Sequence, residues 1–418
     1  MKFQAIRGVK DILPEEIATW QKVEEVARRL FESYGYSEIR VPIFESTALF
    51  SRSIGETTDI VEKEMYSFED RSGDQITLRP EATASIVRAY IEHRLFDPPG
   101  VVKLYCFGPM FRHERPQAGR YRQFYQIDVE AIGGAEPLLD AEMILMASEF
   151  LQQVGLEGVQ IQLNSLGCPK CRPDYRAALL RFLKEHEESL CQDCRSRIDR
   201  NPLRALDCKQ EKCKALTEGA PRTVDSLCAE CRDHFTQVRE LLAAQSAPFV
   251  LNPRLVRGLD YYTRTTFEFT SENLGSQNAV LGGGRYDGLI EELGGPSTPA
   301  IGFALGMERL TLLLNTLNRG VPAAKLQVYL APLGNGTRPT VFSMLRDLRR
   351  RGLRVESDYE GKSLKSQLRR ADRLGAQFVV IVGEDELARG TVPVRDMAGK
   401  TQEEVSISAL GEFLQRKI

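Results

Sequence analysis

The stretch Phe107–Glu130, FGPMFRHERPQAGRYRQFYQIDVE, decides how the rest of the chain is read. Its first half packs Arg112, Arg115, Arg120 and Arg122 into eleven residues. From Tyr125 onward the pattern alternates, with Tyr125, Ile127 and Val129 on one face and Gln126, Asp128 and Glu130 on the other, the period of a strand. Guanidiniums leading into a polar sheet face suit an anionic, phosphate-bearing ligand lying on that sheet. Taken alone, the same arginines also fit a solvated hairpin.

Length and composition bound the answer. At 418 residues the chain exceeds one ordinary core, so two or three domains are expected. A hydrophobic share of 42% with 27% charged residues describes a globular protein. No apolar run reaches the roughly 18 residues of a membrane helix, and the start MKFQAIRGVKDILPEE lacks the apolar core of a signal peptide. A cytoplasmic location is therefore the default expectation. The net charge of −2 hides an asymmetry: residues 326–418 hold 16 Lys+Arg against 12 Asp+Glu, leaving 40 against 46 elsewhere. A basic C-terminal segment suits a polyanionic partner.

Upstream of the opening stretch, Pro14 with Glu15 and Glu16 marks a helix start, and Trp20, Val23, Ala27, Leu30 and Phe31 follow at helical spacing. YSEIRVPIFE reads as one strand, placed at an edge or interface because Pro42 cannot donate to a ladder. In ITLRPEATASIVRAYIE a strand turns at Arg79-Pro80 into a helix, which sets Glu81 and Thr83 at the turn. There they either face a ligand or cap the helix.

Between Asn164 and Pro248 the character changes. Eight of the nine cysteines fall there, as Cys168/Cys171, Cys191/Cys194, Cys208/Cys213 and Cys228/Cys231. In a reducing compartment such doublets read as thiolate metal sites before disulfides, enough for two structural zinc ions with four cysteines each. The alternative is small hydrophobic packing. Strand character returns in LVRGLDYYTRTTFEF, which carries Arg257, Asp260, Tyr261 and Tyr262. VLGGGRYDGL follows without the GK[ST] of a phosphate loop, so its glycines read as close-approach positions. PAIGFALGMERLTLLL gives a strand and a helix with Arg309 in the first turn, where a cation opposes the helix dipole and a ligand anion or a nearby acid would explain it. From Leu326 the order β-α-β-α-β reads as an α/β domain around a mainly parallel sheet.

FRHERPQAGRYRQFYQ, PAIGFALGMERL and the proline-bearing strand near Pro42 together resemble the three signature motifs of class II aminoacyl-tRNA synthetases. LVRGLDYYTRTTFEF and GGGRYDGL are similar to the segments that mark the histidyl-tRNA synthetase family, and the resemblance runs the length of the chain. It implies an α+β catalytic domain with an antiparallel six-stranded sheet over residues 1–325, a Cys-rich helical insertion at about 168–248, and an anticodon-binding α/β domain over 326–418, assembled as a homodimer. The implied reaction is ATP-dependent activation of L-histidine, with Mg²⁺ accompanying ATP, then transfer to tRNA(His).

By the same resemblance Arg112 contacts the α-phosphate, Arg309 the terminal phosphate, and Arg257 lies as a fixed cation near the α-phosphate and carboxylate. Glu81, Thr83 and Gln126 surround the amino group, with Glu130, Tyr261 and Tyr262 by the imidazole. Arg115 and Gln117 reach toward the tRNA acceptor end. The eight cysteines are not among the family's defining motifs, so zinc rests on their spacing. Two rival readings fit the same residues: a synthetase-like regulatory subunit that binds histidine without charging tRNA, and a class II enzyme for another amino acid.

Overall fold

The computed structural model describes residues 3–55, 58–274, 278–322 and 325–418. The chain divides into two compact units, Met1–Val321 and Pro322–Ile418.

The first unit is built on an eight-stranded sheet. Six central strands run antiparallel in the order Val102–Phe111, Gln123–Ile132, Ala300–Gly306, Ala279–Arg285, Thr263–Thr270 and Gln160–Ser165. A short parallel strand closes each edge, Ser37–Glu38 beside Val102–Phe111 and Phe249–Leu251 beside Gln160–Ser165. Helices Pro14–Ser33, Pro137–Gln153 and Met307–Thr316 cover one face. Their apolar stripes, including Trp20, Phe31, Ile144 and Leu310, bury against Ile127, Val129 and Phe303 of the sheet. The opposite polar face is left for the site.

YSEIRVPIFE departs from the single strand expected. It forms two short strands in different sheets, Ser37–Glu38 and Phe44–Ser46. Pro42 lacks the N–H a continuous ladder needs, and the Arg79 guanidinium takes the carbonyls of Val41 and Pro42 at 2.9 and 3.3 Å. Phe44–Ser46 then joins Gln75–Leu78 and Tyr66–Glu69 in a three-stranded antiparallel sheet.

The cysteine-rich region is not one body. Tyr175, Leu179, Leu183, Leu190 and Ile198 form a small core of their own. Helix Ala229–Ala244, by contrast, sends Phe235, Val238 and Leu242 into the main core. At the seam Arg285, fully buried, donates to Asp140 Oδ1 (2.7 Å), Asp287 Oδ1 (2.8 Å) and the Gly134 carbonyl (2.8 Å), while His234 Nε2 lies 2.8 Å from Asp140 Oδ2.

In the second unit Val355–Ser357, Val328–Pro332 and Phe378–Val382 are parallel, and a hairpin, Thr391–Asp396 with Gln402–Ser406, extends the sheet antiparallel. The parallel part follows the sequence reading. The hairpin escaped it because Pro393 sits within the first strand and acids dominate the second.

Candidate active site

Strand Gln123–Ile132 carries out its alternation in space: Ile127 and Val129 are fully buried in the core, whereas Gln126, Asp128 and Glu130 line cavities on the other face. Two adjoining cavities share Arg112, Gln126, Arg257, Gly282 and Ala304.

The outer cavity, about 230 Å³, brings together Arg112, Arg120, Arg257 and Arg309, with Glu114, Glu268 and Glu308. Arg112 donates from Nε to the Pro80 carbonyl (2.8 Å) and lies over the Phe124 ring. Arg257 donates from Nη1 to Glu268 Oε1 (2.7 Å) and sits against the Tyr262 ring. Arg309, in the first turn of helix Met307–Thr316, donates to the Ala279 carbonyl at 2.7 Å. Burial, then the neighbouring Arg120, lowers the Arg309 pKa. Four guanidiniums thus line one space, and a polyanion entering it would offset the burial and the Arg120 repulsion felt by Arg309.

The inner cavity, about 170 Å³, is lined by Glu81, Thr83, Gln126, Asp128, Glu130, Tyr261, Tyr262 and Tyr286, among others. Glu81 sits at the turn before helix Thr83–Glu92 and accepts from the N–H groups of Thr83 (2.8 Å) and Ala84 (2.9 Å), satisfying helix-end donors. Glu130 accepts from the Thr83 hydroxyl (2.7 Å) and the Tyr286 hydroxyl (2.6 Å). Burial pushes the Glu130 carboxyl up to about 8 despite those two donors, with Asp128 and Glu81 adding to the rise. Tyr261 and Tyr262 pack as a tilted pair at 4.7 Å between centroids, and Tyr261 meets Tyr286 edge-on at 5.7 Å.

Two glycines make this packing possible. A Cβ on Gly302 would lie 1.7 Å from Glu130 Oε2, and one on Gly282 would lie 2.4 Å from Arg257 Nη1. The glycine-rich stretch thus lets functional side chains, rather than backbone, cross the sheet closely.

Arg115 and Gln117 lie outside both cavities, exposed in the loop between Val102–Phe111 and Gln123–Ile132. Gln117 forms an isolated bridge with Arg120. Sequence reading overlooked Glu268, Tyr286 and Asp128. Tyr286 stands in the quoted GGGRYDGL and Asp128 on the quoted polar face, so both were within reach of a reading that assigned every polar residue there.

The cysteines gather as two groups, Cys168, Cys171, Cys228 and Cys231, and Cys191, Cys194, Cys208 and Cys213. In each, all four sulfurs lie within 4.8 Å of one another. Edges are 3.8 Å for Cys168–Cys171, 3.9 Å for Cys168–Cys228 and 3.8 Å for Cys191–Cys208. A tetrahedron of sulfurs about 2.3 Å from a central zinc has edges of about 3.8 Å, so both sets fit that ion. The Cys168 and Cys191 N–H groups donate to the Cys171 and Cys213 sulfurs at 3.2 Å, contacts that would stabilise a metal-bound thiolate.

An antiparallel sheet bearing an arginine-lined cavity, joined to a separate unit with its own sheet, defines the catalytic and anticodon-binding parts of a class II aminoacyl-tRNA synthetase. Residues 8–310 match the family model described as histidyl-tRNA synthetase, and residues 327–417 match that of the anticodon binding domain. The chain belongs to the histidyl-tRNA synthetase family. It is 53% identical over 409 residues to the histidine–tRNA ligase of Trichlorobacter lovleyi, covering 98% of this chain and 97% of that one. With the histidine–tRNA ligase of Maridesulfovibrio salexigens it is 55% identical over 408 residues, covering 97% and 98%. The crystal structure of apo Staphylococcus aureus histidyl-tRNA synthetase superposes with a TM-score of 0.83 at 38% identity, covering 99% of this chain and all of that one.

Proposed function

We infer that this chain is a histidine–tRNA ligase, which joins L-histidine to tRNA(His) through histidyl-adenylate, releasing pyrophosphate and AMP. The observation that carries this reading is that arginines distant in sequence, at 112, 257 and 309, line one cavity that opens onto an acidic, tyrosine-lined pocket. The histidine carboxylate is already ionised, so its attack on the α-phosphorus needs no general base. It forms the carboxyl–phosphate bond as the α–β bridging bond breaks, and charge crowding is the obstacle. In this reading Arg112 and Arg257 flank the α-phosphate and Arg309 takes the terminal phosphate. Glu114 and Glu268, each with one oxygen given to an arginine, would hold Mg²⁺ arriving with ATP, which screens the triphosphate.

For the amino acid, Glu130, Tyr261 and Tyr262 surround the imidazole, and Glu81, Thr83 and Gln126 lie toward the amino group. Arg115 and Gln117 would meet the acceptor end of tRNA, and residues 326–418 the anticodon loop, with basic helices Arg338–Arg350 and Leu364–Arg373 contacting phosphates. ATP–pyrophosphate exchange with each amino acid tests the reading. Exchange with histidine alone is expected, whereas exchange with another amino acid, or none, would sink it and, if none, favour a regulatory histidine-binding subunit.

The two four-cysteine sets would hold one structural zinc ion each. Metal analysis after desalting should find about two zinc ions per chain, with Cys208→Ser removing one. Less than about 0.3 zinc per chain with every thiol titratable would reject it. Eight cysteines free of disulfides suit the reducing cytoplasm. A homodimer is supported by the small sheet, where the register sets Phe44, Tyr66, Phe68, Ile76 and Leu78 on one face, with Phe44 57% and Phe68 46% exposed. Light scattering should give twice 47.1 kDa.

A further inference from the structure

The two four-cysteine sets are alike in sulfur spacing and unlike in surroundings. Cys168, Cys171 and Cys231 are buried in the main core with Leu227 and Phe235, and Cys228 alone of that set is half-buried. The other set sits with the small core of the cysteine-rich region. There Cys194 and Cys213 are buried, while Cys191 and Cys208 are both half-buried.

Those two half-buried cysteines are neighbours. Their sulfurs lie 3.8 Å apart, and both line a cavity of about 270 Å³ together with Cys194. Cys208 stands in the loop between Pro202–Ala205 and helix Glu211–Thr217, flanked by the exposed Asp207 and Lys209. Closing its sulfur onto that of Cys191, to the roughly 2 Å of an S–S bond, asks for a shift that an exposed loop can make. The first set offers no such pair, because Cys228 lies 3.9 Å from Cys168, whose sulfur belongs to the packed core. Oxidation of cysteine follows thiolate character and access together, so the cavity singles out Cys191 and Cys208.

We propose that Cys191 and Cys208 form a site of reversible oxidation by hydroperoxides, at which a disulfide closes and the second four-cysteine set gives up its metal while the first keeps it. One of the two thiolates attacks a peroxide oxygen, the O–O bond breaks, and the departing hydroxide takes up a proton to leave as water. The other thiolate then attacks the resulting sulfenic sulfur, forming the S–S bond and expelling a second hydroxide, which also leaves as water. Two thiolates lose two electrons, and one hydrogen peroxide with two protons becomes two waters. Cys194 and Cys213 are then the remaining thiolates of the set, fewer than a structural zinc site holds. The metal half of this inference rests on the zinc reading above, whereas the thiol pair rests on burial and spacing.

The test exposes the full chain, reduced and zinc-loaded, to hydrogen peroxide at pH 7. Released metal is followed with a chromogenic zinc indicator, and disulfides are mapped by mass spectrometry after the free thiols are alkylated. About one zinc ion per chain should be released in step with a Cys191–Cys208 disulfide, and about one retained. Dithiothreitol with added zinc should reverse both changes. Release of both ions in parallel, release of neither, or a first disulfide between any other two cysteines would overturn the proposal. Should the reduced chain carry no zinc, the metal reading falls by itself and the disulfide decides the rest: a Cys191–Cys208 bond formed ahead of any other upholds the redox pair, and its absence overturns it.

Discussion

Arg257 touches both cavities, pairs with Glu268 and lies across Gly282, so its guanidinium is fixed before any substrate arrives. In the reaction proposed above, preorganised charge of this kind would stabilise the pentavalent transition state without reorganisation. Arg257→Ala should slow histidine-dependent pyrophosphate exchange by at least about a hundredfold, roughly 3 kcal/mol of barrier, with the loss in kcat rather than in the KM for ATP. Pre-steady-state exchange with saturating ATP reads this directly. The inner pocket makes a second prediction at this scale. The Glu130 carboxyl titrates at about 8 in the folded chain against 4.5 ordinarily. Between those values the folded state keeps a proton that the unfolded state has released, so the contribution is full below about pH 4.5 and is lost as pH rises through 8. Glu130→Gln should therefore flatten the fall in Tm between pH 6 and 9, as measured by calorimetric melts without ligand.

At the scale of elements, strands Gln123–Ile132, Ala279–Arg285 and Ala300–Gly306 bring the site together because small residues on two of them let large ones on the third and on the 254–262 segment pass. Gly302→Ala should displace Glu130, costing about 1–3 kcal/mol of stability by overpacking and raising the KM for histidine more than that for ATP. Chemical unfolding and steady-state kinetics check the two halves. The buried Arg285 network predicts a larger effect: Arg285→Met removes the buried cation that Asp140 and Asp287 share, leaving them only His234 and Arg264, and should cost about 3–5 kcal/mol. Much of this architecture was legible in the chain. Alternation from Gln126 to Glu130 identified the cavity-facing side because a strand has period two. Pro42 marks an obstacle to a ladder, but the break into two sheets depends on Arg79 capturing carbonyls, which no local pattern shows. Cysteine spacing announced doublets. Which doublet meets which depends on the path of the intervening helices, and the first pairs with the last.

Over the whole molecule, the arginine-lined cavity lies in the first unit and the stretch matching the anticodon-binding family model lies in the second. A chain ending at Val321 should retain histidine-dependent pyrophosphate exchange within about tenfold while losing most aminoacylation of tRNA(His), since phosphate contacts supply much of the affinity for RNA. Measuring both activities on the same preparation separates this from a folding defect. One further feature reaches across the first unit. Arg172 donates to the Tyr262 carbonyl, Arg204 to that of Gly258 at 2.7 Å, and Asn201 to Asp260 at 3.3 Å. The backbone that presents Arg257 and the tyrosines is thus gripped from behind by the cysteine-rich region. Anything that loosens this grip, such as thiol oxidation or a substitution far from any substrate atom, would be felt as poorer amino-acid discrimination, and by reciprocity a bound amino acid would tighten the hold of the four-cysteine sets on the zinc proposed for them.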